Sequence, residues 1–212
     1  ENYIYDKEIV QIAFSDIKAI FKVNIDKNNE VIRKEVLGPN EKTEDQIDLF
    51  SLWIVNIQKD NKQGTGLKPS LVKTQSKESL LEMNNNLYSD NIVTLRNIVT
   101  GYYMSFEVND QNDAYLILSR GTRNSRFKIL SYDGSSLIQN NTFVRFSQTD
   151  TLNYFTASII KSEKSNTGRV NNSRELSYKS IYIDSTSFKY QVEFKTYENN
   201  SNLIRISKVS LD

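Results

Sequence analysis

The run Phe188-Lys-Tyr-Gln-Val-Glu-Phe-Lys195 carries the clearest structural signal in the sequence. Its apolar and polar residues alternate one by one, which is the period of a β-strand with one face in the core and the other in water. An α-helix would instead place its apolar residues three or four positions apart. The run therefore predicts a half-buried strand, which needs neighbouring strands to satisfy its backbone.

Similar short runs fill the rest of the second half, separated by polar clusters typical of turns, such as Asp133-Gly134. These runs lie at 102–108, 114–119, 126–132, 142–148, 154–161, 176–183, 188–197 and 203–209. Because no helical pattern separates them, they predict an antiparallel sheet, either curved or closed into a partial barrel.

The first half shows apolar residues at helical spacing. Residues 6–16 predict a helix that runs into a strand, followed by a hairpin that ends at Gly38-Pro39. Thr43 and the apolar stripe that follows it predict a second helix near 43–59. Ser76 begins a shorter third helix.

Two segments bear on the overall organisation. Residues 91–101 fit either a helix or a strand, because apolar spacing and β-branched content point in different directions. The loop 59–75 contains Gly and Pro and is the only candidate for an internal boundary. We predict a single α+β domain over residues 1–212, with helices mainly in the first half, an antiparallel curved sheet or partial barrel in the second half, and no internal repeat.

The composition excludes several classes of function. The chain has no His and no Cys, so it has no triad or dyad built on imidazole or thiolate, no His or Cys metal site and no disulfide. Residues 26–31 lack the Gly of a calcium loop, and residues 64–70 lack the spacing of a phosphate cradle. We expect no catalytic residues, no metal and no cofactor, and an enzyme that uses carboxylates alone is the one catalytic alternative left open.

Charge and hydropathy bear on partners and location. With 27 Lys and Arg against 26 Asp and Glu, the net charge of +1 offers no bulk field for a polyanion, so we expect no nucleic acid partner. No apolar run approaches the length of a membrane span. The sequence begins at Glu1 without Met and lacks Cys, which favours an extracytoplasmic domain, in the periplasm or at the cell surface, tethered to a membrane by a segment that precedes Glu1.

The densest group of cations is the run Arg120-Gly-Thr-Arg123-Asn-Ser-Arg126-Phe-Lys128. Between two predicted strands it forms a hairpin turn that could bind phosphates, an acidic glycan or an acidic protein face, with Phe127 and Tyr115 available for stacking. The alternative is an ordinary solvated turn. Trp53 offers a similar choice, between anchoring a partner protein and packing in the core.

The order of the predicted elements resembles the periplasmic domain of the VirB-eight family, inner-membrane assembly factors of type IV secretion systems. The matching residues are the hairpin run Val23-Asn-Ile25-Asp26-Lys27, Glu44, the run Trp53-Ile54-Val55 and Ser76, within residues 15 to about 120. The family's Arg-Glu pair is replaced by Ile57-Gln58, and its late Asn-Pro-Leu-Gly-Phe motif is missing.

Residues 5–17 also resemble the amphipathic N-terminal helix of truncated type IV pilins and pseudopilins, which precedes an antiparallel sheet. Both resemblances imply a non-catalytic assembly component of a bacterial envelope machine for secretion, conjugation or pilus formation. Its partners would be other envelope-machine proteins or a second copy of the chain. The alternative is a surface adhesin or toxin-like β module that binds an anionic glycan, lipid or protein through Arg120, Arg123, Arg126 and Lys128.

Overall fold

The computed structural model describes residues 2–16, 19–23, 37–38, 47–59, 85–160, 181–182, 189–196 and 198–211. Its described elements are β-strands and three short 3-10 turns. The strands are β1 (Ile9–Phe14), β2 (Ala19–Phe21), β3 (Leu37–Gly38), β4 (Trp53–Ile57), β5 (Ile92–Asn97), β6 (Tyr103–Val108), β7 (Ala114–Ser119), β8 (Phe127–Ser131), β9 (Thr142–Gln148), β10 (Tyr154–Ile160), β11 (Ile181–Tyr182), β12 (Lys189–Lys195) and β13 (Ile204–Lys208).

Six of these strands close into a barrel. β1 pairs with β4, β4 with β5, β5 with β8, β8 with β9, β9 with β13, and β13 again with β1, and every pairing is antiparallel. Closure leaves none of the six with an unpaired edge.

Three hairpins continue from alternate barrel strands. The hairpin β2–β3 pairs with β1, β6–β7 pairs with β5, and β10–β12 pairs with β9. The chain thus repeats one four-strand unit three times, with β11 as an addition that pairs with β12. A six-stranded barrel with three hairpins in this order is the β-trefoil arrangement. The expectation of no internal repeat is therefore wrong at the level of structure.

The three 3-10 turns obey the same symmetry. One residue separates each turn from the strand that completes its unit. The N-cap side chain of each turn accepts a hydrogen bond from the backbone N–H two residues later. The turns are Leu49–Ser51 capped by Asp48, Arg123–Ser125 capped by Thr122, and Asn200–Asn202 capped by Asn199. Each turn ends in a buried polar residue, which must find a partner inside the protein.

Barrel strands supply two of those partners. Gln11 in β1 donates from Nε2 to Ser51 Oγ over 2.9 Å, and Arg145 in β9 donates from Nε to Asn202 Oδ1 over 2.6 Å. Thr94 is the equivalent residue in β5, because it too lies between two core residues. Its Oγ1 is buried and has no hydrogen-bond partner among the described residues. The second unit therefore closes its turn in a different way.

Aromatic rings fill the space beneath the barrel and the hairpins. Phe155 packs edge-on against Phe127 at 4.7 Å between ring centroids and against Phe194 at 5.1 Å. Trp53 is completely buried in β4, and its Nε1 donates to the carbonyl of Phe21 over 2.9 Å. A buried indole N–H with a partner is what a core tryptophan requires.

The predicted α+β class is wrong, because the described part of the first half is made of strands. The predicted helix 6–16 contains β1, in which Val10, Ile12 and Phe14 alternate into the core. Ile9, Ile12 and Ala13 happen to match helical spacing as well, so periodicity alone did not distinguish the two.

The predicted helix near 43–59 is also wrong. Its described part holds the first 3-10 turn and β4. Residues 91–101 contain the strand β5, which ends in a turn at Asn97 that is held by that side chain. The loop 59–75 lies outside the described residues apart from Lys59, and the helix expected from Ser76 to Leu87 lies outside them apart from residues 85–87.

The strands after residue 101 lie where the sequence predicts them. β6, β7, β8, β9, β10, β12 and β13 each lie within or on the predicted ranges. Val192 in β12 is buried, as the alternation predicts, while Glu193 beside it is partly exposed.

None of the described residues belongs to a helix that is long and apolar enough to cross a membrane.

Candidate functional site

The cations predicted as a binding group lie on the segment 120–128, which joins β7 to β8 and is called the basic turn below. Gly121 has φ +104°, a conformation that residues with a side chain rarely adopt. A Cβ at that position would also lie 3.3 Å from the ring of Tyr103. Both facts fix glycine at the entrance to the basic turn.

The middle of the basic turn is closed by reciprocal hydrogen bonds. Thr122 Oγ1 accepts from the N–H of Asn124 over 3.1 Å, and Ser125 Oγ accepts from the N–H of Thr122 over 2.9 Å. This is a capping box built with serine in place of glutamate. It holds the backbone of the basic turn in one conformation without help from the cationic side chains.

Three serine hydroxyls attach the basic turn to its hairpin. Ser125 Oγ lies 2.6 Å from Ser105 Oγ of β6, which in turn lies 2.5 Å from Ser119 Oγ of β7. Ser105 and Ser125 are buried. Because buried hydroxyls need partners, this cluster resists displacement of the turn from the sheet.

The cationic side chains of the basic turn point toward solvent. Arg120, Arg123 and Arg126 are exposed, and Lys128 is half-buried. Along β8 and the residue before it, the buried Phe127 and Ile129 alternate with Arg126 and Lys128, so the two cations share the outer face. None of the four cations forms an ion pair with a residue that the structure describes.

A fifth cation, Arg96, and the tyrosines Tyr102 and Tyr103 extend this surface; the sequence suggested the tyrosines as a possible anchor for a partner but did not connect them with the cations, and it did not suggest Arg96. Arg96 in β5 is exposed and lies opposite Tyr103 of β6, which lies opposite Ser119 beside Arg120. A depression of about 500 Å³ next to the basic turn is lined by Tyr102, Leu118, Ser119 and Arg120. Cross-strand pairing is what brings these groups together, and it cannot be read from sequence spacing.

The aromatic residues that the sequence suggested for stacking are not available. Phe127 is completely buried and Tyr115 is 6% exposed. Phe127 belongs to the core face of β8, and its alternation with the cations could have shown this. Trp53 is likewise in the core, so it does not present a surface for a partner protein.

The chemistry of the surface is that of anion binding. Guanidinium groups donate paired hydrogen bonds to carboxylate, sulfate or phosphate oxygens, and tyrosine rings offer flat apolar faces. Among the described residues, no three acidic, His or Cys side chains are grouped so as to hold a metal ion.

Comparison with known proteins identifies the fold and no family. No protein-family model matches the chain, and no curated protein matches it either. The SDF2-like protein from Arabidopsis thaliana has a similar structure, with a TM-score of 0.55 and 12% identity over 97% of this chain and 94% of that one.

Two further solved structures show the same likeness. A Caenorhabditis elegans protein of unknown function has a TM-score of 0.54 and 7% identity over 98% of this chain and 97% of that chain. A ricin B-like lectin of Macrolepiota procera, solved in complex with lactose, has a TM-score of 0.48 and 12% identity over 96% and 97%. At such identities the likeness to the Arabidopsis thaliana and Caenorhabditis elegans proteins establishes a shared fold alone.

These findings overturn the two resemblances drawn from the sequence. The structural neighbours are β-rich, whereas VirB-eight domains and pilins contain helices. The assignment to type IV secretion, conjugation or pilus assembly is therefore wrong as an inference from helix order, because the supposed helices are strands where the structure describes them.

Proposed function

We propose that this chain is a non-enzymatic binding module that recognises an anionic glycan through the basic turn. The observation that carries the proposal is a pre-ordered turn presenting Arg120, Arg123 and Arg126 to solvent without ion pairs in the described structure. Cations already committed to internal carboxylates would have to break those pairs before binding a ligand. The described structure contains no such pair for these arginines, so a ligand does not have to break one.

The surroundings of the basic turn favour a glycan over other anions. The partly exposed ring of Tyr102 lines the adjacent depression, and an aromatic face beside arginines suits a sugar ring that carries sulfate or carboxylate groups. The outward side chains at 120–128 include no apolar group that could insert into a membrane, since Phe127 is buried. The net charge of +1 gives no long-range attraction for nucleic acid.

Absence of enzymatic activity and an extracytoplasmic location remain parts of this proposal. Charged glycans are met at cell surfaces and in the extracellular matrix. A module without Cys tolerates that oxidising environment.

Binding to immobilised heparin and to chondroitin sulfate, measured by surface plasmon resonance over a range of salt concentrations, tests the proposal. We expect the unmodified chain to bind and Arg126→Ala to weaken binding by about tenfold or more, since a hydrogen bond to a charged group contributes about 1.5 to 3 kcal/mol. Affinity should fall as salt rises, and the slope should be smaller for the triple variant Arg120→Ala/Arg123→Ala/Arg126→Ala.

Arg205→Ala is the matched control. Arg205 is exposed like Arg126 but lies in the barrel strand β13, over the ring of Phe143, and its removal changes the net charge equally. Equal losses for Arg126→Ala and Arg205→Ala would show attraction by bulk charge and refute a site at the basic turn. Binding to anionic vesicles without binding to either polysaccharide would refute a glycan as the ligand.

A further inference from the structure

A cleft of about 340 Å³ lies at the other end of the β6–β7 hairpin from the basic turn. Its walls are the loop 109–113 between β6 and β7, the loop 148–153 between β9 and β10, and part of β12. β6 runs from Tyr103 beside the basic turn to Val108 in the cleft. At roughly 3.3 Å per residue the two regions are about 17 Å apart, so they are separate sites.

Both loops of the cleft are held in defined conformations. Asn109 Oδ1 accepts from the N–H groups of Gln111 and Asp113, over 3.0 and 2.9 Å. Gln148 Oε1 accepts from Asn153 Nδ2 over 2.9 Å, and the backbones of Gln148 and Asn153 are bonded as well. The cleft walls are thus ordered before a ligand arrives, which lowers the entropic cost of binding.

The lining combines two kinds of group. Carboxylates and carboxamides come from Asp113, Asp150 and Asn153, and apolar surface comes from Phe106, Phe194 and Val108. The two phenyl rings form an edge-on pair at 5.7 Å between centroids and are only partly buried. Val108 is 46% exposed, so the apolar part of the cleft faces solvent.

The charge of the cleft excludes the ligand of the basic turn. Three carboxylates, those of Asp113, Asp150 and Glu193, face one ammonium, that of Lys195, which lies 3.2 Å from Glu193. An anionic group would be repelled from such a cleft. Ionised carboxylates accept hydrogen bonds, so these side chains suit a ligand that donates them.

We infer that this cleft is a second binding site, for an uncharged saccharide of one or two sugar units. Vicinal hydroxyl groups donate to the planar carboxylates of Asp113 and Asp150 and exchange hydrogen bonds with Asn153. The C–H face of a pyranose ring packs on the partly buried rings of Phe106 and Phe194. The volume of the cleft admits a disaccharide. This site does not depend on the basic turn.

Titration with maltose, cellobiose and N,N′-diacetylchitobiose tests the inference, with amide chemical shifts of the ¹⁵N-labelled chain as the readout. We expect at least one of these sugars to shift the amides of residues 109–113 and 148–153, and its affinity to be nearly independent of salt. Asp113→Asn and Asp150→Asn should each weaken binding about tenfold, because each removes a charged acceptor.

Asp110→Asn is the control, since Asp110 lies in the same loop as Asp113 but does not line the cleft. It should bind the sugars as the unmodified chain does. Asp150 is on an exposed loop, so its replacement does not endanger folding. The triple arginine variant should also retain neutral-sugar binding, which separates this site from the proposed function.

Three outcomes would overturn the inference. They are the absence of shifts with all three sugars, equal affinities of Asp110→Asn, Asp113→Asn and Asp150→Asn, and shifts at the cleft with spermidine but with none of the sugars. The last result would identify a cation site instead. A separate control concerns heparin. If Asp113→Asn binds heparin with the affinity of the unmodified chain, the basic turn works without the cleft.

Discussion

Replacing Thr94 by Val should stabilise the protein, although it removes a polar group from a barrel strand. Thr94 is 7% exposed, and its Oγ1 is buried with no hydrogen-bond partner. A buried hydroxyl that lost its water without gaining a partner costs about 1 to 3 kcal/mol. Valine has the same shape and a high preference for strands, so it removes this cost without opening a cavity.

The expected gain in the free energy of unfolding is about 1 kcal/mol. For a chain of 212 residues this corresponds to a rise in Tm of roughly 2 to 4 °C. Urea unfolding followed by the fluorescence of Trp53 measures it, and an unchanged m-value would show that the change acts on stability and not on the denatured state.

Thr156→Val is the matched control with the opposite expected sign. Thr156 is 1% exposed in β10, but its Oγ1 donates to the carbonyl of Tyr154 over 3.1 Å. Removing this hydroxyl should cost about 1 kcal/mol. A loss of stability in Thr94→Val, or shifts of the two variants in the same direction, would refute the claim that Thr94 is unsatisfied.

Three other perturbations follow from the same structure. Trp53→Ala should lower the free energy of unfolding by about 3 to 5 kcal/mol in urea titrations, since the indole fills the core and satisfies a carbonyl. Arg145→Leu should cost about 2 kcal/mol or more because the buried hydrogen bond from Arg145 Nε to Asn202 Oδ1 is lost, whereas Arg145→Gln should cost less, as Gln donates the equivalent bond in the first unit. Burial and the hydrogen bond to Glu198 raise the pKa of Tyr154. The unfolded chain therefore ionises this tyrosine first, so stability present below about pH 10 should be lost as pH rises through the folded pKa. Tyr154→Phe should lose less stability over that alkaline range in denaturant midpoints.

The strands of the second half could be predicted because their signals are local. A run such as Ala114–Ser119 is bounded by polar turn residues on both sides, so its ends are visible without knowledge of the fold. The first half lacks that advantage, because its apolar residues fit two periods. In β1 the β-branched residues Ile9, Val10 and Ile12 were evidence for a strand that the helical spacing obscured.

The three-fold repeat could not be predicted because its equivalent residues are alike in size and polarity but seldom identical. Ser51, Ser125 and Asn202 end equivalent turns and have in common only that they are small, polar and buried. Their partners differ as well. Gln11 and Arg145 reach across from barrel strands, whereas Ser125 bonds to the hairpin residue Ser105. A sequence comparison within the chain detects identity, and here only geometry is repeated.

The candidate site shows the same division between local and non-local information. The cations of the basic turn were visible as a run, but Arg96 and Tyr103 join them only through strand pairing. The cleft was invisible for that reason too, since Asp113 and Asp150 come from loops of different units. In the sequence, the residues that line the cleft lie in two separate turns, and nothing in the sequence indicates that the two turns are close in space.

The near-neutral charge of the chain conceals two surfaces of opposite sign at the two ends of one hairpin. Arg120, Arg123 and Arg126 lie near the base of β6–β7, and the carboxylates of Asp113 and Asp150 lie near its tip. The carboxylates of the cleft repel the anionic glycan suited to the basic turn, so the cleft cannot substitute for that turn. If one glycan chain occupied both sites, its charged groups would have to end before the cleft and be followed by uncharged sugars at a distance of about 17 Å. Joining the two ligands in this order should raise affinity well above that of either alone, whereas a uniformly sulfated chain of the same length should gain nothing from the second site.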